Sequence, residues 1–147
     1  MKRPYSWILP VLVIAALCVP AVALPDVGDP LVLTVTPDVP VTGGDTINLS
    51  LTEGNPGDLA FLFYGDTLGT YPIGEIELDL VPQGVLFLGH FPMTGQIDLS
   101  FTLPDELPPE VSGLILYLQA VSAGMEMGPG GPAVTFHKSN LDQIEFE

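Results

Sequence analysis

From Leu31 onward apolar residues recur at every second position in short runs, and Gly, Pro, Asn or Asp interrupts each run before it can lengthen. A period of two places alternate side chains on opposite faces of an extended strand, whereas a helix needs apolar residues at three and four positions apart. Gln96 to Leu103 is the cleanest case: Ile97, Leu99, Phe101 and Leu103 face one way, and Gln96, Asp98, Ser100 and Thr102 the other. Thr46 to Thr52 alternates in the same manner, and Glu75 to Leu80 sets Ile76, Leu78 and Leu80 against Glu75, Glu77 and Asp79. Leu59 to Tyr64 and Leu114 to Val121 are apolar on both faces, so they read as central strands. Leu31 to Thr36, Val85 to Phe91, Val134 to His137 and Asp142 to Glu147 supply further runs. Gly43-Gly44-Asp45, Asn55-Pro56-Gly57-Asp58, Pro82-Gln83-Gly84, Pro104 to Pro109, a glycine-rich hairpin loop from Gly124 to Pro132, and Ser139-Asn140 read as turns. No window carries a helical period. The pattern predicts an all-β domain over residues 31–147, a single antiparallel sandwich of about seven to nine short strands.

The first 23 residues have a different character. Lys2 and Arg3 precede an uncharged apolar stretch from Ile8 to Val19, Pro20 breaks it, and Ala21-Val22-Ala23 supplies the small residues that precede a signal-peptidase cut. The expectation is a signal-peptide helix over residues 1–23, cleavage after Ala23 with Ala21 and Ala23 in the small pockets, and a lead segment over 24–30. That places the protein outside the cytoplasm, in the periplasm, at the cell surface or in the medium. An uncleaved anchor is the alternative, since Trp7 to Leu24 is free of charge over 18 residues, near the lower limit for a span. Lipidation at Cys18 would favour a small residue where Leu17 stands.

Cleavage would also change the chemistry of the chain. Cys18 is the only cysteine and would leave with the signal peptide, so the domain would hold no disulfide and no thiolate metal site. Lys2 and Arg3 would leave too, setting all 18 acidic residues against Lys138 alone. A field of that sign repels phosphate backbones and anionic membranes, which excludes nucleic acid as a partner and leaves the signal segment as the only membrane contact.

The segment Gly113-Leu114-Ile115-Leu116-Tyr117-Leu118-Gln119-Ala120, followed by Ser139-Asn140 and a closing strand, resembles a β-sandwich module of exported proteins in environmental bacteria. Gly43-Gly44-Asp45-Thr46, Pro56-Gly57 and Leu59 to Gly65 are similar to the same module. The resemblance implies an immunoglobulin-like extracellular domain and transfers no catalytic residue. Met125-Glu126-Met127 is this chain's own feature.

Residues able to carry chemistry are few. A nucleophilic triad needs a base and an orienting acid beside Ser or Cys, and the only imidazoles are His90 and His137; Ser112 reads as a turn residue. The two histidines lack metal-ligand spacing, His90 being expected at a strand end and His137 facing solvent. Sugar stacking would fall to Tyr64, Tyr71 and Tyr117, because Trp7 lies in the leader, and Tyr117 reads as core. Glu75, Glu77 and Asp79 share a strand face at about 7 Å intervals. Joined by Glu145 and Glu147, they would offer oxygen ligands to calcium, the one cofactor in prospect; Asp26, Asp29 and Asp98 are weaker candidates. Met125, Glu126 and Met127 form a candidate partner-binding loop. The expected function is a non-enzymatic structural or interaction module that meets an extracellular protein or glycan through its surface and loops. The alternative is a calcium-dependent binder of a glycan or small ligand.

Overall fold

The computed structural model describes residues 31–147, and the signal-peptide and lead-segment expectations, Ala21 and Ala23 included, lie outside the described residues. The described chain is all-β. Nine strands run in the order β1 (Val32–Thr36), β2 (Thr46–Thr52), β3 (Leu59–Gly65), β4 (Thr67–Ile73), β5 (Ile76–Val81), β6 (Gly84–His90), β7 (Ile97–Thr102), β8 (Ile115–Gly128) and β9 (Gly131–Glu145), with one 3-10 turn at Pro109–Val111. No helix among the described residues is long and apolar enough to cross a membrane.

The strands form three antiparallel sheets, ordered β1-β2-β7, β6-β3-β8-β9 and β4-β5. The alternation sets the layering. Leu33, Val35, Ile47, Leu49 and Leu51 from β1 and β2 meet Ala60, Leu62, Tyr64, Leu116 and Leu118 from β3 and β8 in one core, where Ile97, Leu99 and Phe101 of β7 lie half-buried. The opposite face of the four-stranded sheet carries Phe61, Val121, Ala123 and Phe136, and the β4–β5 hairpin covers them with Ile76 and Leu78. β3 and β8 are therefore apolar on both faces because both faces are covered.

Side chains tie these layers where backbone pairing runs out. The β8–β9 register shifts at Ala120, and there the Ser139 hydroxyl accepts the Ala120 N–H at 2.8 Å while donating to the Asn140 carbonyl at 2.7 Å. Asn140 acts as a surrogate strand for β1: its Oδ1 accepts from Leu33 N at 2.8 Å and its Nδ2 donates to Leu33 O at 2.9 Å. Asp142 adds an acceptor for Val35 N at 3.0 Å. On the other side of the sheet the fully buried Gln119 holds the hairpin, donating to Asp79 Oδ2 at 2.9 Å and to Ser139 O at 2.8 Å and accepting from Asp79 N at 2.8 Å. Three of the residues that carry the family resemblance thus hold layers together.

Three expectations need correction. Gly124 to Pro132 is no long loop: β8 runs to Gly128 and β9 starts at Gly131, because a two-residue turn at Pro129-Gly130 suffices to reverse a ribbon. Ser139-Asn140 is no turn but an irregularity inside one long strand, its polar side chains taking over backbone bonds. β4 has no counterpart in the predicted runs, since Gly69 and Pro72 interrupt it and most of its residues are exposed.

Candidate functional site

The five carboxylates proposed as a calcium site do not meet. Glu75 lies in the turn before β5, and Glu77 and Asp79 are on the exposed face of β5. What faces them is a cation: Lys138 Nζ donates to the Glu77 carbonyl at 2.7 Å and lies 3.5 Å from Asp79. Glu145 pairs with Ile115 at the other end of β9, roughly 20 Å along the strand by the usual rise per residue, and Glu147 donates its N–H to Val41. No group of three or more His, Cys, Asp or Glu among the described residues is arranged to hold a metal ion. Met125, Glu126 and Met127 are not in a loop but in the last turns of ribbon in β8, with Met125 66% and Met127 80% exposed. Ser112 is exposed after the 3-10 turn and Tyr117 half-buried. His90 bonds the Gly57 carbonyl through Nδ1 at 3.1 Å, as befits a strand end. His137, expected in solvent, is buried at 5% exposure opposite Ser122, itself 1% exposed.

Those two buried polar residues mark a cavity. On the inner face of β8 the side chains are apolar at Leu116, Leu118 and Ala120 and turn polar at Ser122, where the space between the two larger sheets opens toward one end. The opening is about 400 Å³, floored by Ser122 and His137 and rimmed by the β2–β3 and β6–β7 loops. Gly54 N donates to Gly95 O at 3.0 Å across the rim, and neither position has room for a side chain: a Cβ on Gly54 would strike the Phe91 ring, and one on Gly95 the Gly54 carbonyl. The rim is thereby closed tightly at one point.

Glu53, next to Gly54, has φ 65°, the single positive value outside glycine among the described residues. A left-handed non-glycine residue costs about 1–3 kcal/mol and persists where its surroundings dictate it. Glu53 is one of the residues that line the cavity. Two carboxamides line it as well. Gln96 gives its Nε2 to Asp98, at 3.1 and 2.9 Å from the two oxygens, and these bonds, with one from Ser50, hold the Asp98 carboxyl below its ordinary value. Asn55 bonds the Asp58 carboxylate in the same sense. Asp58 itself is pushed up by burial, an effect that the Asn55 bond and His137 only partly offset. With its Nε2 on both oxygens of Asp98, Gln96 keeps its carbonyl oxygen as an acceptor.

The lining therefore offers acceptors in Glu53, the Gln96 carbonyl oxygen and the hydroxyls of Thr52, Thr94 and Ser122, with the His137 ring beside them. Such a site can receive hydrogen-bond donors; it holds neither a nucleophile–base pair with known geometry nor an anion receptor. Sequence reasoning missed it because Glu53 and Gln96 come from loops that read as connections, and because His137 was assigned to solvent. Glu53-Gly54 after an alternating strand and Gly95-Gln96 before another was the available signal, since paired glycines at strand ends permit close loop approach.

The sequence matches no protein-family model and no curated protein. Among solved structures the chain is similar to the superoxide reductase (neelaredoxin) from Ignicoccus hospitalis, at 11% identity over 81% of each chain with a TM-score of 0.40. It is also similar to Spo0M, the sporulation control protein from Bacillus subtilis, at 16% identity over 80% of this chain and 49% of that one, again with a TM-score of 0.40. The chain thus spans about half the length of Spo0M. Neither likeness carries a residue or an activity across.

Proposed function

We propose that this chain is an exported, immunoglobulin-like interaction module that works by contact through its loops and projecting ribbon rather than by catalysis. The strand order carries the reading. β1-β2-β7 facing β6-β3-β8-β9, with chain crossings from β2 to β3, from β6 to β7 and from β7 to β8, is the order of an immunoglobulin-type sandwich into which the β4–β5 hairpin is inserted. In such domains the sheets form a scaffold and the loops at one end carry recognition. Lys138 beside Glu77 and Asp79 argues against the cation-dependent alternative at that face, because a bound cation there would have to displace the ammonium.

Two measurements test the proposal. Intact mass of the protein recovered from envelope and medium should correspond to a start at Leu24; a mass retaining residues 1–23 overturns release and leaves an anchored form. Carboxylate-directed cross-linking on intact cells, suited to a chain with 18 acids in its sequence, should concentrate partner links at Glu53 and Glu126. Links spread evenly over the acidic surface, or none at all, would overturn the reading.

A further inference from the structure

We infer that the cavity between the β2–β3 and β6–β7 loops binds a primary ammonium group on a flexible aliphatic stem, with Glu53 as its counter-ion. This deepens the interaction reading and rests on it for the biological setting alone, since binding in solution is independent of where the protein resides.

Size, charge and hydrogen-bond polarity converge on that ligand. About 400 Å³ is large for a bare ion and suits a small organic group. No lysine or arginine lines the cavity, whereas one carboxylate does, in a chain of net charge −15, so an anion would be repelled. Gln96 gives its amide nitrogen to Asp98, which leaves its carbonyl oxygen for a ligand to meet. A primary ammonium has three donors and no acceptor, the complement of such a lining. A quaternary ammonium would need a cage of aromatic faces, and the lining holds no Phe, Tyr or Trp.

Glu53 supplies an independent pointer. Its φ of 65° would be unstrained in glycine, and the next residue is Gly54, yet the strained position carries the carboxylate. Strain of this kind is retained where it places a group for use. The fold itself asks only for a residue tolerant of that backbone.

The experiment is an amide-resolved NMR titration of residues 24–147 with 1,5-diaminopentane, with Nα-acetyl-lysine N-methylamide, and with the Nε-acetylated form of the latter. Saturable shifts are expected at Thr52 to Asn55 and Thr94 to Gln96 with one or both amines and none with the acetylated compound. Binding of the diamine alone identifies a free polyamine as the source; binding of the lysine analogue identifies a lysine side chain of a partner. Glu53→Gln should weaken binding about tenfold, the scale of one charge-assisted bond. Glu110→Gln makes the same charge change at the Pro109–Val111 turn, by the opposite end of β7, and should alter binding less than twofold. Glu53→Gly relieves the backbone while deleting the carboxylate, so it should fold with an equal or higher melting temperature and lose binding. Absence of saturation, equal binding of the acetylated analogue, or equal weakening by Glu110→Gln overturns the assignment, and none of these outcomes touches the cross-linking result.

Discussion

The two faces of the β6-β3-β8-β9 sheet are covered in different ways. One meets a second sheet across a continuous apolar core reaching from Leu31 to Phe146. The other meets only the β4–β5 hairpin over a smaller apolar cluster, and there a buried glutamine, an aspartate and a lysine supplement it. A whole sheet can be held by non-directional burial, because its area is large. A two-stranded hairpin is marginal alone and needs directional bonds to fix its position and register.

That contrast can be broken from either side. Leu62→Ala, on the inner face and 1% exposed, should cost about 3–4 kcal/mol through lost burial and a cavity, seen as a lower urea midpoint with an unchanged slope. Gln119→Ala should cost about 2–3 kcal/mol by stranding the Asp79 N–H and the Ser139 carbonyl. Its signature should be local: amide exchange in β5 rises steeply while β2 and β7 stay protected, and equal loss in all three strands would erase the distinction between the faces. Lys138→Met keeps the aliphatic stem and deletes a partly exposed ion pair, so its cost should be about 0–1 kcal/mol. If that variant, and not the parent, gained a selective calcium-dependent rise in melting temperature over ionic-strength-matched sodium, Glu77 and Asp79 would prove to be a cation site that the lysine occupies.

The smallest effect should have the opposite sign. Asp58 lies beyond the hairpin's cover, its carboxylate over Gly124 where a Cβ would strike it, and burial raises its pKa above the ordinary 3.8. A carboxyl whose folded pKa is raised contributes most stability when protonated, below pH 3.8, and loses it as pH rises through the folded value. Asp58→Asn should therefore match the parent in acid and exceed it at pH 7 by about 0.5 kcal/mol or less, given its partial exposure. A variant less stable at pH 7 than the parent would show that the Asn55 and His137 contacts outweigh desolvation.

Period-two alternation made most of the fold legible. Thr46–Thr52 begins and ends where the pattern does, and Ile97, Leu99 and Phe101 face the core as the alternation requires. Continuous apolar runs at β3 and β8 announced burial on two sides without saying what lay on the second. The outer hairpin strand β4 escaped notice because an edge strand needs neither alternation nor freedom from Pro and Gly. Ser139-Asn140 has turn composition for the same reason that it serves within β9: short polar side chains can replace backbone partners, and residue type alone does not say whether the chain then reverses or continues. The cavity was less legible still. Its character depends on which loop residues meet around it and on Asp98 holding the Gln96 amide, a matter of three-dimensional neighbours.

The side-chain bonds that close the β1 edge also have a mechanical meaning. Leu31 and Ser139, and Val41 and Phe146, form parallel bridges, so β1 and the segment after it run beside the end of β9 in the same direction. Tension that draws Leu31 and Phe146 apart would load the contacts of Asn140 with Leu33, of Asp142 with Val35 and of Val41 with its two neighbours together, in shear. The same tension applied across the free tip of the β8–β9 ribbon would open its hydrogen bonds one after another, like a zipper, at far lower force.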